Sequence, residues 1–390
     1  MATKRISIGI IGTGWMGSVH CRAYREVQER FPESGISADL VACADNLPGR
    51  AAAEAQRLGI PRSTEDWREL LDDPSIDAVS IATRNDSHAE IAIAAAEAGK
   101  HIFCEKPVGR TPEETAAIAA AARRSGVVTF VGFCYRWVPV VSYAAQLAAS
   151  GRLGRILHYR GVFFAAYGAP PQGFRTWRYV FEQSGYGVLG DLMTHVVDMA
   201  TLLAGPVSEV SSQKQHVYEQ RPEPRLGVDH YALGSDSDPM LPVDNEDSVY
   251  AQARLESGAT ATFEASRVMQ TPANEFGFTI YGTEGVASWQ FNLLNKLQLY
   301  IAGEEPERIG LTTVFAGRHH PNHARFSADL GGGIDYEALQ VIGAHQFLSA
   351  IAAGKSEAPD FESTLQVARV NAAMARSWDS GRWEQVAAIP

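Results

Sequence analysis

Cysteine is scarce in this chain, with four residues among 390 and no C-x-x-C pair. The four, Cys21, Cys43, Cys104 and Cys134, lie far apart in the sequence. Disulfide-stapled secreted domains carry closely spaced cysteines, so this pattern argues against that class. We interpret the four as buried thiols in a reducing compartment, and the sequence therefore predicts a cytoplasmic protein.

Basic residues and long apolar runs are also in short supply. Lys and Arg total 34 against 45 Asp and Glu, a formal net charge of −11, which argues against nucleic acid or an anionic membrane as the main partner. No apolar run reaches about 18 residues, so the sequence predicts no membrane span. The apolar run at 6–11 leads into Gly12 without a small-residue cleavage site, so we expect a first β-strand there rather than a signal peptide.

What the chain does contain suits a globular protein of two domains. Hydrophobic residues make up 45% and charged residues 20%, which excludes disordered, collagen-like and low-complexity chains. In the first third of the chain, apolar strands alternate with helical stretches, which indicates α/β architecture with a doubly wound parallel sheet. The predicted strands of this region are 6–11, 39–44, 78–83, 101–104 and 127–132.

After residue 155 the pattern changes to a succession of strands. This predicts a second, α+β domain with a large, mostly antiparallel open sheet flanked by helices, two of them at 339–353 and 362–378. The Pro- and Asp-rich connector 221–247 is expected to be a long surface loop. We place the two domains at 1–131 and 132–390. The predicted strands of the second domain are 156–166, 207–218, 248–255, 259–268, 275–281, 286–290 and 296–301.

Gly12, Gly14 and Gly17 form a G-x-G-x-x-G pattern between the first predicted strand and the first predicted helix. This is the context of a dinucleotide-binding fingerprint: the glycines permit a tight turn, close approach of pyrophosphate, and close packing of helix on sheet. The helix start, with Trp15 and Met16, offers unpaired N–H groups to phosphates. We expect these five residues to bind a dinucleotide; a glycine-rich turn without a ligand is the alternative.

Polar side chains also follow later strands, at the sheet edge where ligands of open α/β sheets bind. Asp45 ends the second strand, where a carboxylate accepts both ribose hydroxyls and repels a 2′-phosphate, so NAD is favoured over NADP. Arg50 could soften that preference, and an Asp here could also cap a turn. Thr83, Asn85 and His88 are expected to contact the cofactor, although His88 could equally orient its own loop.

Glu105, Lys106 and Pro107 follow the strand at 101–104. Lys106 is expected at the same carboxyl edge, near the position of a nicotinamide ring, with Glu105 contacting the cofactor. The proline favours a cis bond that would fix the direction of the lysine. A lysine desolvated beside a cofactor can hold or relay a proton from a substrate hydroxyl. An ordinary surface Glu-Lys-Pro turn is the alternative.

A glycine-rich segment opens a helix in the second domain and carries Asp191, His195 and Asp198. Residues at i and i+4 share one helix face, so Asp191 and His195 are expected side by side. A carboxylate near an imidazole tunes it as a general base near neutral pH. A helical salt bridge or half of a metal site would use the same spacing; without a clear third ligand, we predict no metal.

Taken in order, these motifs resemble the glucose–fructose oxidoreductase/inositol dehydrogenase (Gfo/Idh/MocA) family, and the resemblance covers nearly the whole chain. It implies a Rossmann domain and hydride transfer between NAD and a ring hydroxyl of a sugar, glycoside or inositol. It implies Lys106, Asp191 and His195 as the catalytic residues, all three also contacting substrate, and the sequence does not decide whether Lys106 or His195 is the primary base. It further implies a homodimer or homotetramer formed through the second-domain sheet.

The resemblance also implies residues around the substrate. Tyr135 and Arg136 would line the substrate pocket, and Trp177 with Arg178 would lie beside the nicotinamide. Tyr167 stands before the catalytic helix and is expected to contact substrate, although packing is an alternative role for it.

The loop His319-His320-Pro321-Asn322-His323 is richer in histidine than a generic family member needs. It resembles sugar 3-dehydrogenases of the levoglucosan type, and His320 is expected to face substrate, with a solvated loop as the alternative.

Two other functions share the same motifs. One is an NAD-dependent glycosidase that oxidises C3 transiently, eliminates the leaving group and recycles NAD. The other is a non-catalytic sugar- or NAD-sensing module, which has no need of a base at the hydride position.

Overall fold

The computed structural model describes residues 4–225, 231–235, 237–303, 307, 309–329 and 332–387. Contacts within the chain divide it into two compact units. Unit 1 is drawn from residues 1–137, 322–328 and 334–365, and unit 2 from 138–321, 329–333 and 366–390. The segments at 322–328 and 334–365 therefore cluster with unit 1, whereas the sequence placed them in the second domain. The limits 1–131 and 132–390 remain a prediction of domain organisation.

Unit 1 begins with alternating strands and helices. In chain order they are β1 (Lys4–Ile11), α1 (Trp15–Arg30), β2 (Ile36–Ala44), α2 (Arg50–Leu58), β3 (Ser63–Thr64), α3 (Arg68–Asp72), β4 (Ala78–Ile81), α4 (Asn85–Glu97), β5 (His101–Cys104), α5 (Pro112–Ser125) and β6 (Thr129–Val131). The strands form a six-stranded parallel sheet in the order β3-β2-β1-β4-β5-β6. The predicted doubly wound parallel sheet is confirmed, with the short strand β3 added at its edge.

The strand order reverses between β1 and β4, so the loops after these two strands leave the sheet at its topological switch point. Ile8 and Ile10 in β1 and Val79 and Ile81 in β4 are fully buried, as expected for central strands covered on both faces. The loops after β1 and β4 therefore start from a fixed edge.

Unit 2 carries the larger sheet. Its elements up to residue 315 are α6 (Pro139–Ala149), β7 (Ile156–Phe164), α7 (Phe181–Ser184), a π-helical turn (Leu189–Met193), α8 (Thr194–Ala204), β8 (Val207–Gln215), β9 (Gln220–Pro222), β10 (Met240–Pro242), β11 (Ser248–Leu255), β12 (Thr260–Ser266), β13 (Glu275–Gly282), β14 (Gly285–Gln290), β15 (Lys296–Ile301) and β16 (Thr312–Phe315). The chain continues with α9 (Tyr336–Ala353) in unit 1, then α10 (Phe361–Ser380) and β17 (Glu384–Gln385).

The nine-stranded sheet runs in the order β16-β15-β14-β13-β7-β12-β11-β8-β17. All neighbours are antiparallel except β12 and β7, so the predicted mostly antiparallel sheet is confirmed. The connector 221–247 contains strand pairing between β9 and β10, which corrects the expectation of a plain surface loop. Its residues 226–230 and 236 lie outside the described residues.

One helical run among the described residues, Phe181–Ala204, is apolar and long enough to cross a membrane by composition alone, with a mean hydropathy of 1.3. However, 78% of that window is buried inside the structure. Helix α8, which ends the run, packs on β7, β12 and β13. The apolar residues of this run are therefore used for packing within unit 2.

Candidate active site

The loop between β1 and α1 has the geometry of a dinucleotide cradle. Gly12 has a φ of +90°, and a side chain there would press on the backbone of Ala82 at 2.7 Å. A Cβ on Gly17 would overlap the carbonyl oxygen of Gly12, whereas a Cβ on Gly14 would meet nothing within 4 Å. Helix α1 has no side-chain cap at Gly14, so its first N–H groups are available to an anion. The loop therefore fits a bound pyrophosphate.

Asp45 lies at the end of β2 and turns its carboxylate back to this loop. Oδ2 accepts hydrogen bonds from the backbone N and Oγ1 of Thr13 at 2.9 and 3.0 Å, and Oδ1 accepts one from Leu47 N at 3.0 Å. Arg50 Nε is 3.0 Å from Oδ2. Burial acts to raise the pKa of Asp45, but the hydrogen bonds and Arg50 outweigh it and the net shift is downward. The carboxylate is therefore held ionised.

The segment after β4 is fixed by His88. This side chain is fully buried, with Nδ1 at 2.8 Å from Pro107 O and Nε2 at 3.2 Å from Thr83 O. Burial lowers the pKa of His88. His88 thus ties the loop after β4 to the loop after β5, which matches the orienting role left open by the sequence. Asn85, buried, begins α4 in the same segment.

The Lys106–Pro107 peptide bond is cis, as the sequence predicted. Glu105 continues the ladder from β5, and its carboxylate is nearly buried, with Oε1 3.1 Å from His20 Nε2. The backbone N–H of Lys106 donates to Oε2 of Glu105 at 3.3 Å. The Lys106 side chain is half-buried at the carboxyl edge of the sheet. This is the edge at which the glycine loop also lies.

Trp15 and Tyr336 form an aromatic pair in unit 1 beside the glycine loop. The Trp15 ring is 66% exposed and stacks on Tyr336 at 5.9 Å between centroids. Met16 Sδ lies 4.0 Å from the Tyr336 hydroxyl, and the Tyr135 ring lies 6.2 Å from that of Tyr336. The sequence did not single out Tyr336, because it begins α9, more than 300 positions along the chain from the glycine loop. Arg136 follows Tyr135 in the turn after β6 and is half-buried.

In unit 2, Asp191 lies in the π-helical turn rather than in the α-helix that the sequence predicted. Two distant side chains bind Leu189, the first residue of that turn. Glu246 Oε1 accepts from Leu189 N at 2.8 Å, and Asn371 Nδ2 donates to Leu189 O at 3.1 Å. These partners satisfy backbone groups of the first turn from outside the helix, and a π-helical turn is a form often found at functional sites. The α-helix proper begins at Thr194, with His195 next.

Asp191 is held by Tyr167, whose hydroxyl donates to Oδ2 at 2.8 Å. Burial first, and then the charge of Asp191, raise the pKa of Tyr167 well above its ordinary value, so the phenol stays protonated as a donor. Arg178 Nε is 3.9 Å from the same Oδ2, and its guanidinium stacks on Trp177 at 4.3 Å. The predicted residues Tyr167, Trp177, Arg178 and Asp191 therefore form one connected group within unit 2.

His195 is nearly buried, 7% exposed, beside two phenylalanine rings that stack on each other. The centroids of Phe163 and Phe276 lie 5.9 and 6.2 Å from its ring. Asp198, one turn further along α8, is 2% exposed. The His195 imidazole is thus held in a nearly buried position against aromatic rings.

A buried cluster of hydrogen-bonded side chains holds the group around Asp191 at the backbone of Arg178. Arg267, 1% exposed, donates from Nε to Asp247 Oδ1 at 2.8 Å and from Nη2 to Asn245 Oδ1 at 2.9 Å. The carbonyl of Arg178 accepts from Asn245 Nδ2 at 2.9 Å and from Arg267 Nη1 at 3.1 Å. The ring of Tyr179 lies between the guanidinium groups of Arg221 and Arg267, at 4.3 and 4.2 Å. None of these residues had a sequence signal, because the cluster depends on tertiary pairing.

The histidine loop divides in the structure. His320 is half-buried against Tyr143, with ring centroids 5.1 Å apart, and its Nδ1 accepts from Gly317 N at 3.0 Å. His319 is exposed, and His323 is fully buried in unit 1. Within the described part of the chain, no three His, Cys, Asp or Glu side chains are grouped so as to hold a metal ion.

These features define a class: an oxidoreductase with an NAD-binding Rossmann domain at its N-terminus. Comparison with known proteins gives the family. The model for the oxidoreductase family with NAD-binding Rossmann fold matches residues 6–133, and the GFO/IDH/MocA C-terminal domain matches 141–288. The chain belongs to the Gfo/Idh/MocA family.

Three relatives give the likeness in more detail. Levoglucosan dehydrogenase of Pseudarthrobacter phenanthrenivorans is 38% identical over 390 residues, 99% of each chain. A solved structure of levoglucosan dehydrogenase in complex with NADH and levoglucosan superposes with a TM-score of 0.93 at 37% identity, covering 99% of this chain and 100% of that one. The scyllo-inositol 2-dehydrogenase (NAD(+)) of Bacillus subtilis is 31% identical over 281 residues, 72% of each chain.

Proposed function

We propose that this protein is an NAD-dependent dehydrogenase that moves a hydride between the nicotinamide and a ring hydroxyl of a neutral cyclic sugar, such as an anhydrosugar, or a cyclic polyol. The full-length likeness to levoglucosan dehydrogenase carries the proposal. The glycine loop, with Asp45 at the second strand end, supports NAD as the cofactor, because a carboxylate there accepts ribose hydroxyls.

Bound NAD supplies the hydride acceptor, and the chain supplies orientation and proton transfer. We assign Lys106 and His195 to the hydroxyl oxygen of the substrate, one as general base and the other as hydrogen-bond donor. Proton removal by a positioned base contributes about 10²–10⁴-fold to such reactions. Asp191, held by the hydroxyl of Tyr167, orients the groups around His195.

The charge balance in unit 2 supports an uncharged substrate. Arg178 is the cation next to Asp191, and its guanidinium is both 3.9 Å from that carboxylate and stacked on Trp177. A guanidinium already balanced by a carboxylate is a weaker anchor for an acidic substrate than one without such a partner. We therefore place sugars and inositols before sugar acids in the substrate order.

The experiment is a substrate screen with purified protein. Anhydrosugars, glucosides, inositols and sugar acids are tested with NAD and then NADP, and the absorbance of reduced cofactor is followed. We expect stoichiometric NADH from a neutral ring substrate, and His195→Ala and Lys106→Ala to lower kcat by about 100-fold or more with little change in NAD binding. Full turnover by both variants would overturn the assignment. Sugar release without net NADH would indicate the glycosidase reaction instead, and NAD binding without turnover a sensor.

We further propose a homodimer or homotetramer formed through the large sheet. His158, Arg160, Thr279 and Tyr281 lie on one face of β7 and β13, because Thr279 pairs with Arg160 and Tyr281 with His158. They alternate with the buried residues Tyr159 and Ile280, which face the helices. Light scattering after size exclusion tests this assembly, and a monomer would contradict it. The four cysteines are free and buried, which supports a cytoplasmic location that cell fractionation would test.

A further inference from the structure

A buried hydrogen-bond network of four side chains leads to the Glu105-Lys106 turn in unit 1. The proposed reaction does not use this network. His20 Nδ1 lies 2.7 Å from Ser80 Oγ, and His20 Nε2 lies 3.1 Å from Glu105 Oε1. Tyr24 donates its hydroxyl proton to Ser80 Oγ at 3.4 Å. All four side chains are buried, with His20 2% and Ser80 0% exposed. Three elements of the sheet edge, α1, β4 and the end of β5, are thus joined by polar groups.

The partners determine which atom donates in each hydrogen bond of this network. The Glu105 carboxylate only accepts, so Nε2 of His20 carries the proton that lies between them. In neutral imidazole Nδ1 then accepts from Ser80, whose oxygen accepts from Tyr24. Each donor meets an acceptor, so the orientation of Glu105 is determined from inside the core. The Phe103 ring packs against the His20 ring in a tilted arrangement, with centroids 4.6 Å apart, which limits rotation of the imidazole.

Gly132 makes room for this orientation. A Cβ on Gly132 would lie 2.5 Å from Oε1 and 2.9 Å from Oε2 of Glu105. The carboxylate therefore rests on the backbone of Gly132 while His20 holds its Oε1 and the Lys106 N–H donates to its Oε2. The side chain of Glu105 is clamped from three sides, and the backbone at Lys106 is clamped with it.

The hydrogen-bond network ends inside the protein at Tyr24, so it cannot carry protons to solvent. Tyr24 is 1% exposed, and burial raises the pKa of its hydroxyl above the ordinary value, so the phenol stays neutral. A proton passed inward from the reacting hydroxyl would have no exit at this end. The role that remains for the network is to hold the turn that carries Lys106.

We propose that His20 is a positioning residue for Lys106, acting through Glu105, so that the Lys106 amine reaches the substrate hydroxyl in a fixed direction. This rests on the proposed dehydrogenase function. The proposal assigns Glu105 to this network, whereas the sequence predicted that Glu105 contacts the cofactor. The effect of His20 is expected on the chemical step, because a misdirected catalytic group lowers kcat more than it weakens cofactor binding.

The first test compares His20→Gln with His20→Asn in the full-length enzyme with NAD and its best ring substrate. The amide nitrogen of Gln reaches the position of Nε2 and can still donate to Glu105, whereas that of Asn cannot. We expect kcat of H20N to fall by about 10-fold or more, the equivalent of one hydrogen bond to a charged group. H20Q should recover most of the loss, and KM for NAD should stay within about 2-fold in both. The matched control is His101→Asn, at the amino end of β5, which should keep its kcat.

A double variant tests whether His20 acts through Glu105. We expect H20N combined with Glu105→Gln to lose no more kcat than Glu105→Gln alone, because the two residues act as one unit. Independent, multiplying losses would overturn the proposal, as would equal kcat in H20N and wild type. A weakened NAD affinity with unchanged kcat would instead assign Glu105 to the cofactor and also overturn it.

A measurement that needs no turnover separates this proposal from the function on which it rests. Imidazole ¹⁵N NMR of the NAD-bound protein, with His20 identified by its loss in H20Q, should show a protonated Nε2 and an unprotonated Nδ1. The reverse tautomer would contradict the donor assignment in this network even in an active enzyme. If no ring substrate is turned over, the proposed function fails, while the tautomer result still decides the state of His20.

Discussion

Asp247 is expected to be the most sensitive single position of unit 2. It is fully buried, and its partner Arg267 is 1% exposed. Oδ1 accepts from Arg267 Nε at 2.8 Å, while Oδ2 accepts from the backbone N–H groups of Val217 and Tyr218 at 2.8 and 3.1 Å. Asp247→Asn keeps the shape but removes the charge, and its amide N–H₂ must face at least one of these donors. Arg267 is then left as a buried cation without its anion.

The size of the effect follows from that burial. Removing one partner of a buried ion pair costs about 3–5 kcal/mol, because the other charge stays desolvated. Burial acts to lower the pKa of Arg267, but its partners, among them the charge and the hydrogen bond of Asp247, outweigh it and the net shift is upward, so the guanidinium keeps its proton. In a domain of about 150–250 residues each kcal/mol shifts Tm by about 2–4 °C, which gives a fall of about 6–20 °C.

The assay is thermal unfolding of wild type and Asp247→Asn, followed by circular dichroism at low protein concentration. The matched control is Glu209→Gln, which removes the anion from the pair with Arg254, whose side chain is 59% exposed. An exposed pair contributes less than about 1 kcal/mol, so this control should shift Tm by only a few degrees. A Tm within about 2 °C of wild type for Asp247→Asn would refute the reasoning.

Three further predictions concern the cofactor loop and the π-helical turn. Gly14→Ala should leave Tm unchanged but weaken NAD binding by about 10-fold or more. Gly17→Ala should lower both Tm and NAD affinity, because only a Cβ on Gly17 overlaps the loop backbone. Calorimetry measures the NAD affinity, and thermal unfolding measures Tm. Asp45→Ser should lower the NAD-to-NADP ratio of kcat/KM by about 10-fold, measured by steady-state kinetics. Burial raises the pKa of Glu246 above 4.5, so stability falls as pH rises from 4.5 through the raised value; Glu246→Gln should abolish that fall in urea unfolding across this range.

Each of these has an outcome that would contradict it. Equal NAD affinity in Gly14→Ala and wild type would mean that no phosphate approaches that glycine. An unchanged NAD-to-NADP ratio in Asp45→Ser would remove Asp45 from cofactor selection. Equal pH dependence of stability in Glu246→Gln and wild type would show that burial does not raise the pKa of the Glu246 carboxyl.

The first sheet could be read from the sequence because its signals are local. Strand His101–Cys104 was predicted with the bounds that the structure has. The strand Ser63–Thr64 was missed, because two residues carry no periodicity. Helix Pro139–Ala149 was also missed, although its first residue is a proline, which is a helix-start signal. Near-continuous apolar strands and glycine turns are visible in a sequence; two-residue edge pairing is not.

The supports of the candidate site could not be predicted. The first residue of the turn that carries Asp191 is held by Glu246 and Asn371, which lie 57 and 182 positions from Leu189. His20 and Ser80 meet because α1 lies over β4, and neither belongs to a motif. Chemistry-bearing residues sit at strand ends and helix starts and can be named in advance. The side chains that orient them come from wherever the fold places a donor or acceptor.

The central claim is that Lys106 and His195 act on one substrate oxygen, and one measurement tests it most directly. A crystal structure of the protein with NAD and the ring substrate found by the screen should place Lys106 Nζ and a ring nitrogen of His195 within about 3.2 Å of the same hydroxyl oxygen, with its carbon about 3–3.5 Å from C4 of the nicotinamide. A complex in which either side chain contacts a different part of the ligand, or none of it, would contradict the account.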